Sequence, residues 1–246
     1  GTAMTAASPF FLDQILFVVL PYLAFIIFLL VSIRRYLTQS FTFSSLSSQF
    51  LENQQHFWGL VPFHYGIIAV VGGHIIAFII PGEVLAWNSQ PMRLYVLEIS
   101  GFVFGLLTLV GLVSVITRRV SVPKIKMVTS GADWVLFGIF VVQIVSGLAV
   151  AVFHGWGTSW FAAIATPYLW SLLTLSPDIS YVTALPWLVK THIVCAYVMI
   201  AFFPFTRLVH ALVVPNPYLW RKTQVVRWYG IRRFQAGATK TPTAGR

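Results

Sequence analysis

Five stretches of this chain, residues 11–33, 56–81, 92–117, 131–153 and 185–213, are apolar and long enough to cross a membrane. A hydrocarbon core of roughly 30 Å takes about 20 helical residues. Such a chain has few ways to fold, because in lipid every backbone N–H and C=O must be satisfied internally, and a lone spanning segment does that only as a helix. The expected fold is all-α: an integral membrane bundle of five transmembrane helices over residues 1–213, then a tail over 214–246. Charged residues make up only 9% of the chain, which excludes an ordinary soluble domain. The single cysteine, Cys195, lies inside the fifth stretch and excludes both a disulfide framework and a cysteine metal cluster.

The basic residues set the orientation. Arg34 and Arg35 follow the first stretch, Arg118, Arg119, Lys124 and Lys126 separate the third from the fourth, and the rest lie at the end of the fifth or beyond. Only Arg93 and Lys190 fall on the other side. Positively charged loops stay cytoplasmic, so the N-terminus is expected outside and the C-terminus in the cytoplasm. The first stretch has arginines after it and no basic residue before it, the reverse of a secretory signal, and reads as a retained anchor. A sixth apolar run, 156–175, would invert the last span if it crossed. Its Pro167, Trp156, Trp160, Tyr168 and Trp170 suit an interfacial segment on the outer face instead.

From Pro215 the tail carries Arg221, Lys222, Arg227, Arg232, Arg233, Lys240 and Arg246 and no acid. Attraction to anionic membrane lipid, about 1 kcal/mol per basic residue near the surface, accounts for such a tail, as does docking to a cytoplasmic partner. The charge gathers on one side of a membrane, so nucleic acid is not an expected partner.

Within this frame, histidines are the chemistry-bearing residues. An ionisable side chain inside a span is costly and marks a functional site by default. His192 and His210 stand 18 residues apart, five turns at about 100° per residue, which puts both on one face ~27 Å apart. On the second stretch His64 and His74 are 10 residues apart, with His56 a rival that matches the 18-residue spacing better. Pro62 lies between His56 and the others and makes its helical phase unreliable. The second stretch runs outward and the fifth inward, so depth pairs His74 with His192 and His64 with His210. Imidazole is a good axial ligand for haem iron, and two antiparallel spans with histidines at complementary depths fit two bis-histidine haems. A haem-free anchor or transporter whose histidines carry protons is the alternative of a different class. His154, at the end of the fourth span, has no matching partner. Gly66, Gly72, Gly73, Gly101 and Gly105 remove bulk within spans, for close helix packing or for a flat macrocycle. Arg93, Lys190 and Arg207 are placed to pair with propionates or to snorkel to headgroups.

These residues resemble the gamma subunit of respiratory nitrate reductase. The matching elements are Phe63-His64-Tyr65-Gly66 with Gly73-His74, Arg118-Arg119 followed by Thr129-Ser130-Gly131-Ala132-Asp133, and Phe203-Pro204-Phe205-Thr206-Arg207-Leu208-Val209-His210. Val214-Pro215, Tyr218-Leu219, Arg221-Lys222 and Gln224-Val225-Val226-Arg227 extend the likeness into the tail. The resemblance implies two haem b, His74 and His192 holding the distal one near a quinol site and His64 and His210 the proximal one, and it selects His64 over His56. Gly73, Arg93, Lys190 and Arg207 become quinol or propionate candidates, with an arginine at 93 where the family has a lysine nearby. It further implies a prokaryotic cytoplasmic (inner) membrane, oxidation of membrane quinol, a cytoplasmic iron-sulfur beta subunit and a molybdenum-containing alpha subunit that reduces nitrate. The same module serving another cytoplasmic oxidoreductase is the alternative.

Overall fold

The computed structural model describes residues 9–38, 54–209 and 212, and all regular structure among them is helical. In chain order the principal helices are α1 (Phe10–Thr38), α2 (Gln54–Ile79), the short α3 (Pro81–Asn88), α4 (Pro91–Ser121), α5 (Gly131–Phe153), the short α6 (Thr166–Leu173) and α7 (Trp187–Phe202). Five of them, α1, α2, α4, α5 and α7, are long and apolar enough to cross a membrane, as expected. Their large side chains face outward: Leu30 is 64% exposed and Phe153 74%. Lipid satisfies that surface and water would not.

Local chemistry sets the helix ends. Proline opens both α3 and α4 at the first turn, where its missing N–H costs nothing. α5 opens on a capping box. Ser130 Oγ accepts from the Asp133 amide at 3.2 Å, and Asp133 Oδ2 accepts from the Ser130 amide at 2.9 Å. Pro62 does not interrupt α2, which runs through it.

The last span departs from expectation. An unbroken helix to His210 would place it on the face of His192, but α7 ends at Phe202. The chain then tightens into 3₁₀ turns at Phe203–Phe205 and Arg207–Val209, with Thr206 extended between them. Pro204 cannot continue the i→i−4 ladder, so the five-turn phase argument fails. His210 and the tail from 213 lie outside the described residues. Arg35 of α1 takes up the carbonyls exposed by this break, donating from Nη1 to Pro204 O at 2.7 Å and Thr206 O at 2.9 Å.

The spans pack as a row, α2 on α4, α4 on α5, α5 on α7 and α7 on α1. α2 and α4 approach most closely, and glycine permits it. A Cβ on Gly66 would lie 2.7 Å from Thr108 N, and one on Gly111 2.7 Å from Phe63 Cα. Gly59 against Val115, Phe63 against Gly111 and Gly66 against Thr108 define one antiparallel register. Leu112, Leu136 and Phe140 form the core of this half, with Phe63, Met199 and Phe202 packed on it.

One end of the bundle is basic. There Asp133 Oδ1 lies 3.4 Å from Arg207 Nε, and Arg119 donates to Thr129 Oγ1 at 3.0 Å. The opposite end carries a cap built from the sixth apolar run: a turn at Gly157–Trp160, a π-helical turn at Phe161–Ala165, then α6. This run is not among the five helices long enough to cross, as expected, and while Trp156 and Trp170 stay exposed, part of it is drawn into the bundle. Tyr168 is wholly buried, donating to the Phe17 carbonyl at 2.7 Å and accepting from Tyr197 OH at 3.1 Å. Periodicity alone did not show this, because the phenol's partners lie on α1 and α7.

Candidate functional site

His64 and His74 are held alike. Each Nδ1 faces the carbonyl four residues back on α2, His64 with Leu60 O at 2.7 Å and His74 with Val70 O at 2.8 Å. A carbonyl only accepts, so Nδ1 carries a proton in both rings and Nε2 is the nitrogen whose lone pair a neutral ring presents. His192 reaches the same state through side chains of α5. Ser146 Oγ donates to Gln143 O at 3.1 Å, so it accepts from His192 Nδ1 at 3.0 Å, and Nε2 faces Gln143 Nε2 at 3.3 Å. Room for that ring comes from Gly147, where a Cβ would stand 2.8 Å from His192 Cε1.

Depth agrees too. His74 is five residues from the end of α2 and His192 five from the start of α7, so each lies ~7.5 Å below the capped end. α2 and α7 make few direct backbone contacts among the described residues, yet Phe63 of α2 and Met199 and Phe202 of α7 pack on one shared cluster, and the His74 and His192 rings are near enough to interact electrostatically. The cap enters at that level, where the Phe161 ring meets His74 edge-on at 5.0 Å.

Comparison with known proteins decides what this arrangement belongs to. A family profile described as nitrate reductase gamma subunit matches residues 13–229. The chain belongs to the nitrate reductase gamma subunit family. The nitrate reductase gamma chain of Bacillus subtilis is 32% identical over 87% of this chain and 97% of its own length. The respiratory nitrate reductase 1 gamma chain of Escherichia coli is 29% identical over 88% and 98%. A shorter likeness, 27% identity over 51% of the chain and 42% of the relative, links it to a subunit of the dihydromethanophenazine:CoB–CoM heterodisulfide reductase of Methanosarcina barkeri.

This gamma subunit is therefore a multi-pass membrane component of an oxidoreductase complex that works with other nitrate reductase subunits. Its described imidazoles suit the haem that the resemblance implies. All three rings engage Nδ1 and leave Nε2 as the nitrogen that could ligate, and Gln143 Oε1 beside His192 is a buried acceptor without a partner. A Cβ on Gly72, Gly73 or Gly101 would meet nothing within 4 Å, which leaves bulk off these helices near the level of His74.

The candidate cations are placed differently from one another. Lys190 Nζ binds both oxygens of Asp13 at 2.9 Å. Arg207 is engaged with Asp133 and donates to Val128 O at 2.9 Å. Arg93 is exposed, its guanidinium 5.0 Å from the Trp87 ring centroid. His154 closes α5 as its C-cap, apart from the other histidines. Sequence reasoning missed Gln143, Ser146, Gly147, Phe161 and Asp13. Two of these carried a signal: Asp13 and Gln143 are polar groups inside apolar runs, where an unpartnered polar side chain is costly.

Proposed function

We propose that this chain is the quinol-oxidising di-haem cytochrome b of its nitrate reductase. His74 and His192 hold one haem b toward the capped end, and His64 and His210 the other toward the basic end. The observation that supports this most is that His64, His74 and His192 each engage Nδ1 within the protein, which leaves Nε2 as the outward nitrogen, open on His64 and His74 and against only the Gln143 amide on His192. Positive-inside bias makes the basic end cytoplasmic, with the N-terminus and the cap outside the cytoplasmic membrane.

When bound, haem b supplies reversible one-electron transfer between quinol and the partner subunits. The chain's own residues do the rest. Backbone carbonyls of Leu60 and Val70 and the hydroxyl of Ser146 fix the tautomer and aim of each imidazole, which raises its basicity toward iron. The cap, pinned by Tyr168 between α1 and α7, sets the Phe161 ring against one side of His74. Arg119, Asp133 and Arg207 tie α4, α5 and the last span together on the side that faces an iron-sulfur beta subunit and a molybdenum-bearing alpha subunit. Quinol loses protons outside while its electrons leave inward, and each charge moved across 100 mV stores about 2.3 kcal/mol.

The test is a visible spectrum of native membranes, reduced with a quinol analogue and then given nitrate. A b-type band that nitrate bleaches, absent from a strain lacking this chain, is expected. A band that stays reduced after nitrate would instead favour the same module serving another reductase, the reading to which the heterodisulfide reductase likeness lends support. Purified protein with no b-type band would defeat the proposal.

A further inference from the structure

We infer that Glu98 on α4 is the carboxylate that accepts the proton released by quinol at the capped end, an inference that rests on the reading above. Its depth is right. Continuing the α2–α4 register of Phe63 with Gly111 and Gly66 with Thr108 sets Ser100 level with His74 and Glu98 ~3 Å further toward the capped end. Its chemistry is right as well. Glu98 Oε1 accepts from Thr158 N at 2.8 Å and Thr158 Oγ1 at 2.6 Å, while among the described residues no donor reaches Oε2. Beside it, Asn88 is 8% exposed; its Nδ2 donates to Thr158 Oγ1 and Ser159 Oγ at 3.0 Å, and its Oδ1 is buried with no partner. A buried acceptor on Asn88 beside an open carboxylate oxygen on Glu98 suits a molecule that brings hydroxyl hydrogens. Thr158 also ties the pair to the site, since Phe161, three residues on, packs against His74.

The other titratable groups toward the capped end are Arg93 and Tyr95 on α4, Glu83 on α3, His154 after α5 and His74 on α2. Arg93, the residue the resemblance sets near quinol, cannot give up its proton and so cannot be the base. In the proposed step a quinol O–H bond breaks and its proton forms a new O–H bond at Glu98 Oε2. Glu98 passes that proton outward and takes the second. The two electrons pass one at a time to the haem that His74 and His192 would hold, which leaves quinone.

The experiment uses the assembled enzyme in native membranes. E98Q keeps an oxygen for Thr158 but cannot take a proton. It should leave the haem spectrum intact and slow haem reduction by a quinol analogue on the order of 100-fold. It should also flatten the pH profile of that reduction and abolish the carboxylic-acid band in the infrared difference spectrum on adding quinol. E98D, with the base set back by one methylene, should keep the pH dependence and recover part of the rate; it also serves should E98Q not accumulate. T158V removes the cap's hydroxyl contact but not the base, so the infrared band and pH profile should survive. Wild-type rates and an unchanged band in E98Q would overturn the assignment, as would a T158V that behaves like E98Q. Absence of haem from the wild type would instead sink the cytochrome reading.

Discussion

Gly147 of α5 lies against the His192 ring of α7, so closely that a Cβ there would stand 2.8 Å from Cε1. A larger residue must push the imidazole off Ser146 and Gln143. G147V is expected to lose the signal of the haem assigned to His192 and keep the other, read in a reduced-minus-oxidised spectrum. Retention of both signals would argue against His192 as a ligand.

Lys190 and Asp13 form a partly buried ion pair between the first and last spans, with side chains 21% and 12% exposed. Removing one partner strands the other in a low-dielectric setting, at a cost of about 3 kcal/mol. D13N and K190M should each lower the melting temperature in detergent, and the double variant should be more stable than their sum. Strict additivity would show that the pair contributes no coupling.

The α2–α4 contact leaves no room for a side chain at Gly66 or Gly111. G66A and G111A should destabilise the protein by about 1–3 kcal/mol through overpacking. G138A, where a Cβ meets open space, should be neutral or gain up to about 1 kcal/mol of helix propensity. Thermal unfolding of the three variants separates these outcomes.

Tyr168 donates to the Phe17 carbonyl from a fully buried position. Y168F leaves that carbonyl and the Tyr197 hydroxyl short of a partner, at about 1–3 kcal/mol. Loosened capping should appear as faster amide exchange across residues 157–173, and no change there would mean the cap is held by apolar packing alone.

The length of the apolar runs was enough to read the number of spans, and the sign of the flanking charges the basic end. His64, His74 and His192 were legible because a polar ring inside a span stands out against its neighbours. What surrounds His192 was not, since Ser146 and Gly147 become its neighbours only through the register of α5 on α7, which no local pattern encodes. The break at Pro204 was visible in principle, but an 18-residue spacing that suited a straight helix outweighed it. The cap was half legible: its aromatics excluded a span without revealing that one of them would be buried whole.

Arg35 holds the carbonyls of Pro204 and Thr206, and Asp13 holds Lys190, so the first helix is fastened to the last at both of its ends. Both fastenings join residues more than 160 positions apart in the sequence. While the chain is being made, α1 enters the bilayer with its carboxylate unmatched and waits for nearly all the remaining helices before its partner emerges. Closure of the bundle thus has to wait for the last span, and a chain that stops short of residue 190 leaves its first helix without a counterpart.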